Sequence, residues 1–179
     1  MERGPNIIIT GTPGTGKSSH AALVAENLPD MKLFSINEVA KERDCISGYD
    51  EERKSSIVDE DKLLDAIEDD LEKGGLIIDW HACDIFPERL IDLVVVLRTD
   101  TQHLYDRLQS RQYSETKLQE NIDAEIMQVL LDEAKEGYAE EIVVELHSNE
   151  IEDMESNVER IVAWKKQWEK DNGRDGDSD

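Results

Sequence analysis

Cysteine is close to absent from this chain: two thiols, Cys45 and Cys83, stand among 179 residues, and neither has C-x2-C spacing around it. A cysteine-based metal site is therefore excluded as an organising device, and reduced, unpaired thiols are expected. Long apolar runs are missing as well. No segment approaches the roughly 18 consecutive apolar residues a membrane span needs, and the N-terminus turns directly into a short apolar run without a signal-peptide pattern. A cytosolic or nuclear protein is expected, with no membrane partner. Basic residues are scarce, 20 against 43 acidic ones, for a formal net charge of -23. Such a surface argues against sequence-specific nucleic-acid binding and suits a strongly basic partner, although an acidic excess also serves solubility alone. No internal repeat is present, and the length fits one domain with a sizeable core.

What is present alternates. The run Asn6-Ile7-Ile8-Ile9-Thr10 is β-branched and apolar on successive positions, the pattern of a strand buried on both faces of a parallel sheet. Similar runs fall at 76–80, 93–97 and 141–146, with a weaker one at 32–35. Between them, Leu63, Leu64, Ile67 and Leu71 lie at helical spacing before Gly74-Gly75, a left-handed stop. A longer helix is expected over 117–138, and a last one with Met154, Val158, Ile161, Trp164 and Trp168 along one stripe. Alternating strands and helices predict an α/β fold, a parallel sheet flanked by helices, over residues 1–170. Residues 171–179 lose all apolar character and are expected to form an acidic disordered tail.

The stretch Gly11-Thr12-Pro13-Gly14-Thr15-Gly16-Lys17-Ser18 matches G-x4-G-K-[ST] at every fixed position, between an apolar strand and a helical segment. Gly14, Thr15 and Gly16 then turn backbone amides around phosphate oxygens, and the following helix points its positive end at the same anion. Lys17 should reach the β- and γ-phosphates of ATP, and the Ser18 hydroxyl should ligate Mg2+. Ser19 is a candidate for the α-phosphate, although a hydroxyl there can equally bond a carbonyl of its own helix. A guanine-specific switch protein would carry N-K-x-D and D-x-x-G segments, and both are missing. Asp79, near the carboxyl end of the 76–80 strand, is placed to face the phosphates and their Mg2+. His81, two residues on, is a candidate for orienting a water or acceptor, against the alternative of a structural histidine. His20, His103 and His147 stand in no comparable context.

Taken together, these motifs carry a specific resemblance. G-T-P-G-T-G-K-S, G-Y-D at 48–50, D-E-D at 59–61, D-W-H-A-C-D followed by F-P-E-R, L-R-T-D-T at 97–101, Leu104 to Leu108 and Ser148-Asn149 together resemble the adenylate kinase isoenzyme 6 (coilin-interacting nuclear ATPase) family over nearly the whole chain. The resemblance implies a P-loop, adenylate kinase-like fold with a short lid, phosphorylation of AMP and related monophosphates from ATP, and ATP hydrolysis. It also implies action in small ribosomal subunit maturation with a basic platform ribosomal protein, in nucleus and cytoplasm; a monomer is expected. By the same resemblance residues 35–58 form a monophosphate-binding arm and 110–120 the lid. Lys41 stands where ordinary adenylate kinases carry an arginine that grips the acceptor phosphate, a point charge in place of a bidentate fork. Arg111 is expected to cover ATP, Arg107 and Arg89 to contact the acceptor, and Glu150 to lie in the loop against the base. Two other readings stay open: an ATPase assembly factor whose nucleotide cycle gates partner binding, and a kinase of another small metabolite on the same phosphate site.

Overall fold

The structure is a computed structural model and describes residues 3–51 and 55–173. The chain opens with β1 (Ile7–Gly11), α1 (Lys17–Asn27), β2 (Lys32–Ser35) and α2 (Ile36–Glu42). An antiparallel hairpin, β3 (Ile46–Asp50) and β4 (Ser55–Val58), follows, then α3 (Glu60–Lys73), β5 (Leu76–Asp79) and β6 (Leu93–Arg98). The remainder is α4 (Thr101–Ser110), α5 (Glu115–Ile126), α6 (Val129–Gly137), β7 (Val143–His147) and α7 (Ile151–Asp171). Five strands pair in parallel in the order β2-β5-β1-β6-β7, and β3 with β4 forms a separate two-stranded sheet.

Strand alternation sorts the apolar residues into two layers. Ile8, Ile78, Val94 and Val96 face α3 and α6 through Leu63, Ile67, Leu71, Leu131 and Ala134. Ile7, Ile9, Ile77, Val95 and Leu97 face α1 and α7 through Ala21, Val24, Val158 and Ile161. A burial of both faces explains why the central strands read as continuous apolar runs. β1 sits between β5 and β6; the chain runs from β1 out to β2 on one side and later crosses from β5 to β6 on the other, so a crevice opens at the carboxyl end of β1. At the other end fully buried Asn6 locks the sheet: its Nδ2 donates to the carbonyls of Leu71 and Leu90, and its Oδ1 accepts from Leu76 N.

The helix expected over 117–138 is two helices. Gln128 takes a left-handed φ of 58° between them. The two segments bury against different surfaces: Leu118 and Ile122 of α5 pack on Leu104 and Leu108 of α4, whereas Leu131 and Ala134 of α6 pack on the sheet. One straight helix would not reach both. The strand expected at 141–146 starts later, because residues 140–142 form a 3-10 turn. The last helix continues through Asp171, the first residue of the expected tail; 174–179 lie outside the described residues. The stop at 74–75 has a steric reason. Gly74 adopts φ 78°, and a Cβ there would stand 2.2 Å from the Gly4 carbonyl oxygen.

Candidate active site

The loop after β1 is shaped by glycine and held from outside. Gly14 and Gly16 adopt φ of 97° and 94°, and a Cβ on Gly14 would meet Leu104 Cδ1 at 2.8 Å. Three successive carbonyls of the loop accept side-chain hydrogen bonds from other elements. Gly14 O accepts from Arg107 Nη1 (3.0 Å), Thr15 O from Ser148 Oγ (2.6 Å) and Gly16 O from His20 Nδ1 (2.8 Å). A trans peptide carries its C=O and N–H on opposite sides, so fixing the Thr15 and Gly16 carbonyls also fixes the N–H groups of Gly16 and Lys17. Those N–H groups belong to the amino end of α1, where an anion is favoured.

The buried His20 is kept neutral, its pKa lowered by burial against the bond to Gly16. Its Nε2 lies 3.2 Å from Asn157 Nδ2, which also donates to the His147 carbonyl. With Nδ1 donating to Gly16, Nε2 is the acceptor. Sequence reading gave His20 no role. The signal was its place, four residues after Gly16 and on the first turn of α1.

The loop opens on a cavity of about 690 Å³ whose lining includes Lys17, Ser18, Lys41, Asp79, His81 and Arg111. Ser18 Oγ donates to Asp79 Oδ2 at 2.9 Å. Burial raises the Asp79 pKa, against the hydrogen bond from Ser18 and the charge of Lys17. Burial lowers the Lys17 pKa to about 8, with Asp79 opposing and Arg111 adding a smaller push downward. His81 is exposed on the cavity wall, edge-on to Trp80 at 5.1 Å, and partial desolvation there followed by the charge of Lys17 lowers its pKa. It is therefore neutral at pH 7, fit to bond water and not to act as a cation. Burial disfavours the charged forms of both Lys17 and Asp79, and a phosphate chain with a divalent ion would give each an opposite charge. Ser18 and Asp79 supply two hard oxygens, the modest protein share that Mg2+ takes when phosphates and water complete its shell. Among the described residues no cluster of three acidic, histidine or cysteine ligands offers an all-protein metal cage.

Four candidates are placed elsewhere. Arg89 lies at the opposite end of the sheet, before β6, with its guanidinium exposed and 3.6 Å from Glu72. Arg107 does not line the cavity; its guanidinium reaches Gly14 O, Ser148 O and Asn149 O, and Thr99 Oγ1 at 3.4 Å. Glu150 is the exposed N-cap of α7, forming a capping box with Asp153 and meeting His103 Nε2 at 3.1 Å. Ser19 is exposed on α1 and does not line the cavity. Conversely, Lys117 lines the cavity from α5, its Nζ 4.4 Å from the Tyr113 ring, although the sequence did not single it out.

Comparison with known proteins agrees with this arrangement. Residues 7–128 match the family described as an AAA domain. The adenylate kinase isoenzyme 6 homolog FAP7 of Saccharomyces cerevisiae is 59% identical over 165 residues, 92% of this chain and 84% of that protein. The homolog HBR1 of Candida albicans is 59% identical over 169 residues, 89% of this chain and 68% of that protein. This chain belongs to the adenylate kinase isoenzyme 6 family. A shikimate kinase from Acinetobacter baumannii, solved with shikimate, superposes with a TM-score of 0.61 at 18% identity, covering 90% of this chain and 92% of its own. That likeness shows a shared P-loop kinase fold. As a member of the adenylate kinase isoenzyme 6 family on this fold, the chain is a nucleotide kinase.

Proposed function

We propose that this kinase transfers the γ-phosphoryl group of ATP, with Mg2+, to AMP and related nucleoside monophosphates, and hydrolyses ATP when no acceptor is bound. The observation that carries the reading is one cavity that joins Lys17 and Asp79 at the phosphate loop to Lys41 of the arm. Phosphoryl transfer needs alignment and charge stabilisation more than covalent help. Lys17 sets its charge against the transferred group, the N–H groups of Gly16 and Lys17 hold phosphate oxygens, and Arg111 covers the chain from the lid side. Lys41 holds the acceptor phosphate. Ser18 and Asp79 would hold Mg2+, which supplies neutralisation of the charge on the β- and γ-phosphates.

A second reading, an ATPase whose cycle gates partner binding, is favoured by neutral His81 at the cavity wall and by lysine in place of arginine at 41. The same resemblance supports work in small ribosomal subunit maturation, in nucleus and cytoplasm and as a monomer, with a basic ribosomal protein. The charge of -23 suits such a partner. Among the described residues no helix is long and apolar enough to cross a membrane. The test offers ATP with each monophosphate and with none, and compares diphosphate formation with phosphate release. Diphosphate made faster than phosphate is released supports the kinase reading; release at the same rate with and without every acceptor refutes it.

A further inference from the structure

Glu125 lies in the last turn of α5 and is buried, yet the kinase reading gives it no task. Its two carboxylate oxygens divide between two structures. Oε2 accepts from Arg98 Nε (2.7 Å) and from Thr99 N (3.0 Å), at the carboxyl end of β6. Its backbone carbonyl accepts from Arg98 Nη2 as well. Oε1 accepts from the hydroxyl of Thr12, in the phosphate loop, at 2.8 Å.

Thr12 is itself part of the loop's turn. Its carbonyl accepts from Thr15 N (3.1 Å) and from Thr15 Oγ1 (2.7 Å), and it is almost fully buried. Residues 117, 121 and 124 of α5, spaced by four and three, share a helical face and line the cavity; Glu125 adjoins that face. The amino end of α5 continues from the lid loop that follows Arg111. The helix that carries lid residues over the cavity is thus tied at its base, through one carboxylate oxygen, to the loop that cradles phosphate. A charge-assisted bond between buried groups is short, directional and costly to leave unmade.

We propose that Glu125 is a positioning residue that couples lid helix α5 to the phosphate loop through Thr12, so that lid closure and alignment of the cradle occur together. Glu125 touches no substrate in this scheme. Arg98 holds the carboxylate in place, and the Thr12 hydroxyl passes its position to the loop. The inference rests on the kinase reading above.

The test is the pair Thr12→Val and Thr12→Ser. Valine keeps the shape and removes the hydroxyl; serine restores it. Steady-state rates at saturating ATP, Mg2+ and AMP are compared with ATP affinity by calorimetry and with Tm. Thr12→Val should lose about tenfold in kcat, the scale of one fixing hydrogen bond lost beside a reacting group. Thr12→Ser should stay within about twofold of the wild type, and ATP affinity should move less than about threefold in both. A kcat equal in the valine and serine variants overturns the proposal, as does a loss that appears wholly in ATP affinity. Should Thr12→Val not fold, Glu125→Asp shortens the reach to Thr12 while keeping the charge for Arg98, and is judged by the same split. Wild-type protein run alongside separates the two ideas: no diphosphate from any monophosphate sinks the kinase reading, and the valine-to-serine comparison is then made on ATP hydrolysis.

Discussion

The two ends of the cavity are built differently. At the phosphate end three consecutive carbonyls are each held by a side chain from another element, and the loop packs on Leu104 and Leu108. At the end proposed for the acceptor, the arm of residues 35–58 joins α2, which packs into the core through Ile36 and Ala40, to the β3–β4 hairpin, which is separate from the main sheet and has an irregular register between Ile46 and Gly48. Tyr49 and Ile57 on it are 53% and 47% exposed. The arm is moored at its base, where Cys45 is buried and Asp59 N donates to Cys45 O at 2.7 Å. On the kinase reading proposed above, chemistry common to every turnover falls at the more heavily hydrogen-bonded end, and acceptor choice at the end that includes the exposed hairpin. Local stability of this uneven kind is usual where a segment must move to admit a ligand.

The largest effect should come from the rigid end. Lys17→Ala should reduce both monophosphate phosphorylation and ATP hydrolysis by about a thousandfold or more, since its charge faces the transferred group, while far-UV circular dichroism stays native. Near wild-type turnover in a folded variant would remove the assignment of the site. The same residue sets a pH limit. Its pKa lies below that of a free lysine, so the cation is present below about pH 8 and lost above it. kcat/KM for ATP, which reports the free enzyme, should therefore fall as pH rises through about 8, and this limb should be absent from kcat if bound phosphate restores the cation.

At the proposed acceptor end, Lys41→Ala on α2 should raise KM for the monophosphate about tenfold, the scale of one charge-assisted contact, with ATP hydrolysis nearly unchanged. Equal losses in both activities would mean that Lys41 serves the shared phosphate site, and the contrast between the two ends would collapse.

His81 stands between the ends and tests where the boundary lies. If its neutral ring positions the water that takes the place of an acceptor, His81→Gly should lower ATP hydrolysis several-fold more than AMP phosphorylation, a modest general-base effect. The measurement is the ratio of the two rates at saturating ATP and Mg2+. An unchanged ratio with both rates reduced would assign His81 to the common phosphate machinery, and no loss in either would make it structural.

Much of this was legible in the sequence where a local pattern carries the cause. The strands at 7, 76 and 93 are marked by buried apolar runs, the α3 stop by Gly74-Gly75, and the phosphate loop by a motif whose glycines are sterically required. What stayed hidden depends on distant partners. The break at Gln128 has no glycine or proline to announce it, because it answers to two packing surfaces. The hairpin β3–β4 mixes Ser47, Gly48 and Asp50 with its apolar residues, so neither period shows. Glu125 and His20 look like ordinary helical residues until the fold brings Thr12 and Gly16 to them. Arg107 and Glu150 have the chemistry of ligand contacts, yet the fold occupies them with Gly14 and with the cap of α7.

The smallest expected effect concerns that cap and sharpens the outer limit of the phosphate site. Glu150 stands next to Asn149, whose carbonyl is held by Arg107, so a base-binding role and a structural one compete for it. In the structure its side chain accepts from the backbone of Asp153, while Asp153 Oδ2 accepts from the N–H groups of Asn149 (3.0 Å) and Glu150 (2.9 Å). These three bonds stabilise the amino end of α7, and the carboxylate also suits the positive end of that helix. Glu150→Ala should therefore cost about 1 kcal/mol of stability, the usual scale for a lost N-cap, and leave KM for ATP within about twofold. A second reading comes from His103, whose pKa is raised first by Asp100 and then by Glu150. It should move down in the variant, and an NMR titration of the His103 ring would register it. A fall in ATP affinity of fivefold or more without a change in Tm, a shift too large for a remote cap, would place Glu150 inside the nucleotide site and extend the rigid end to the start of α7.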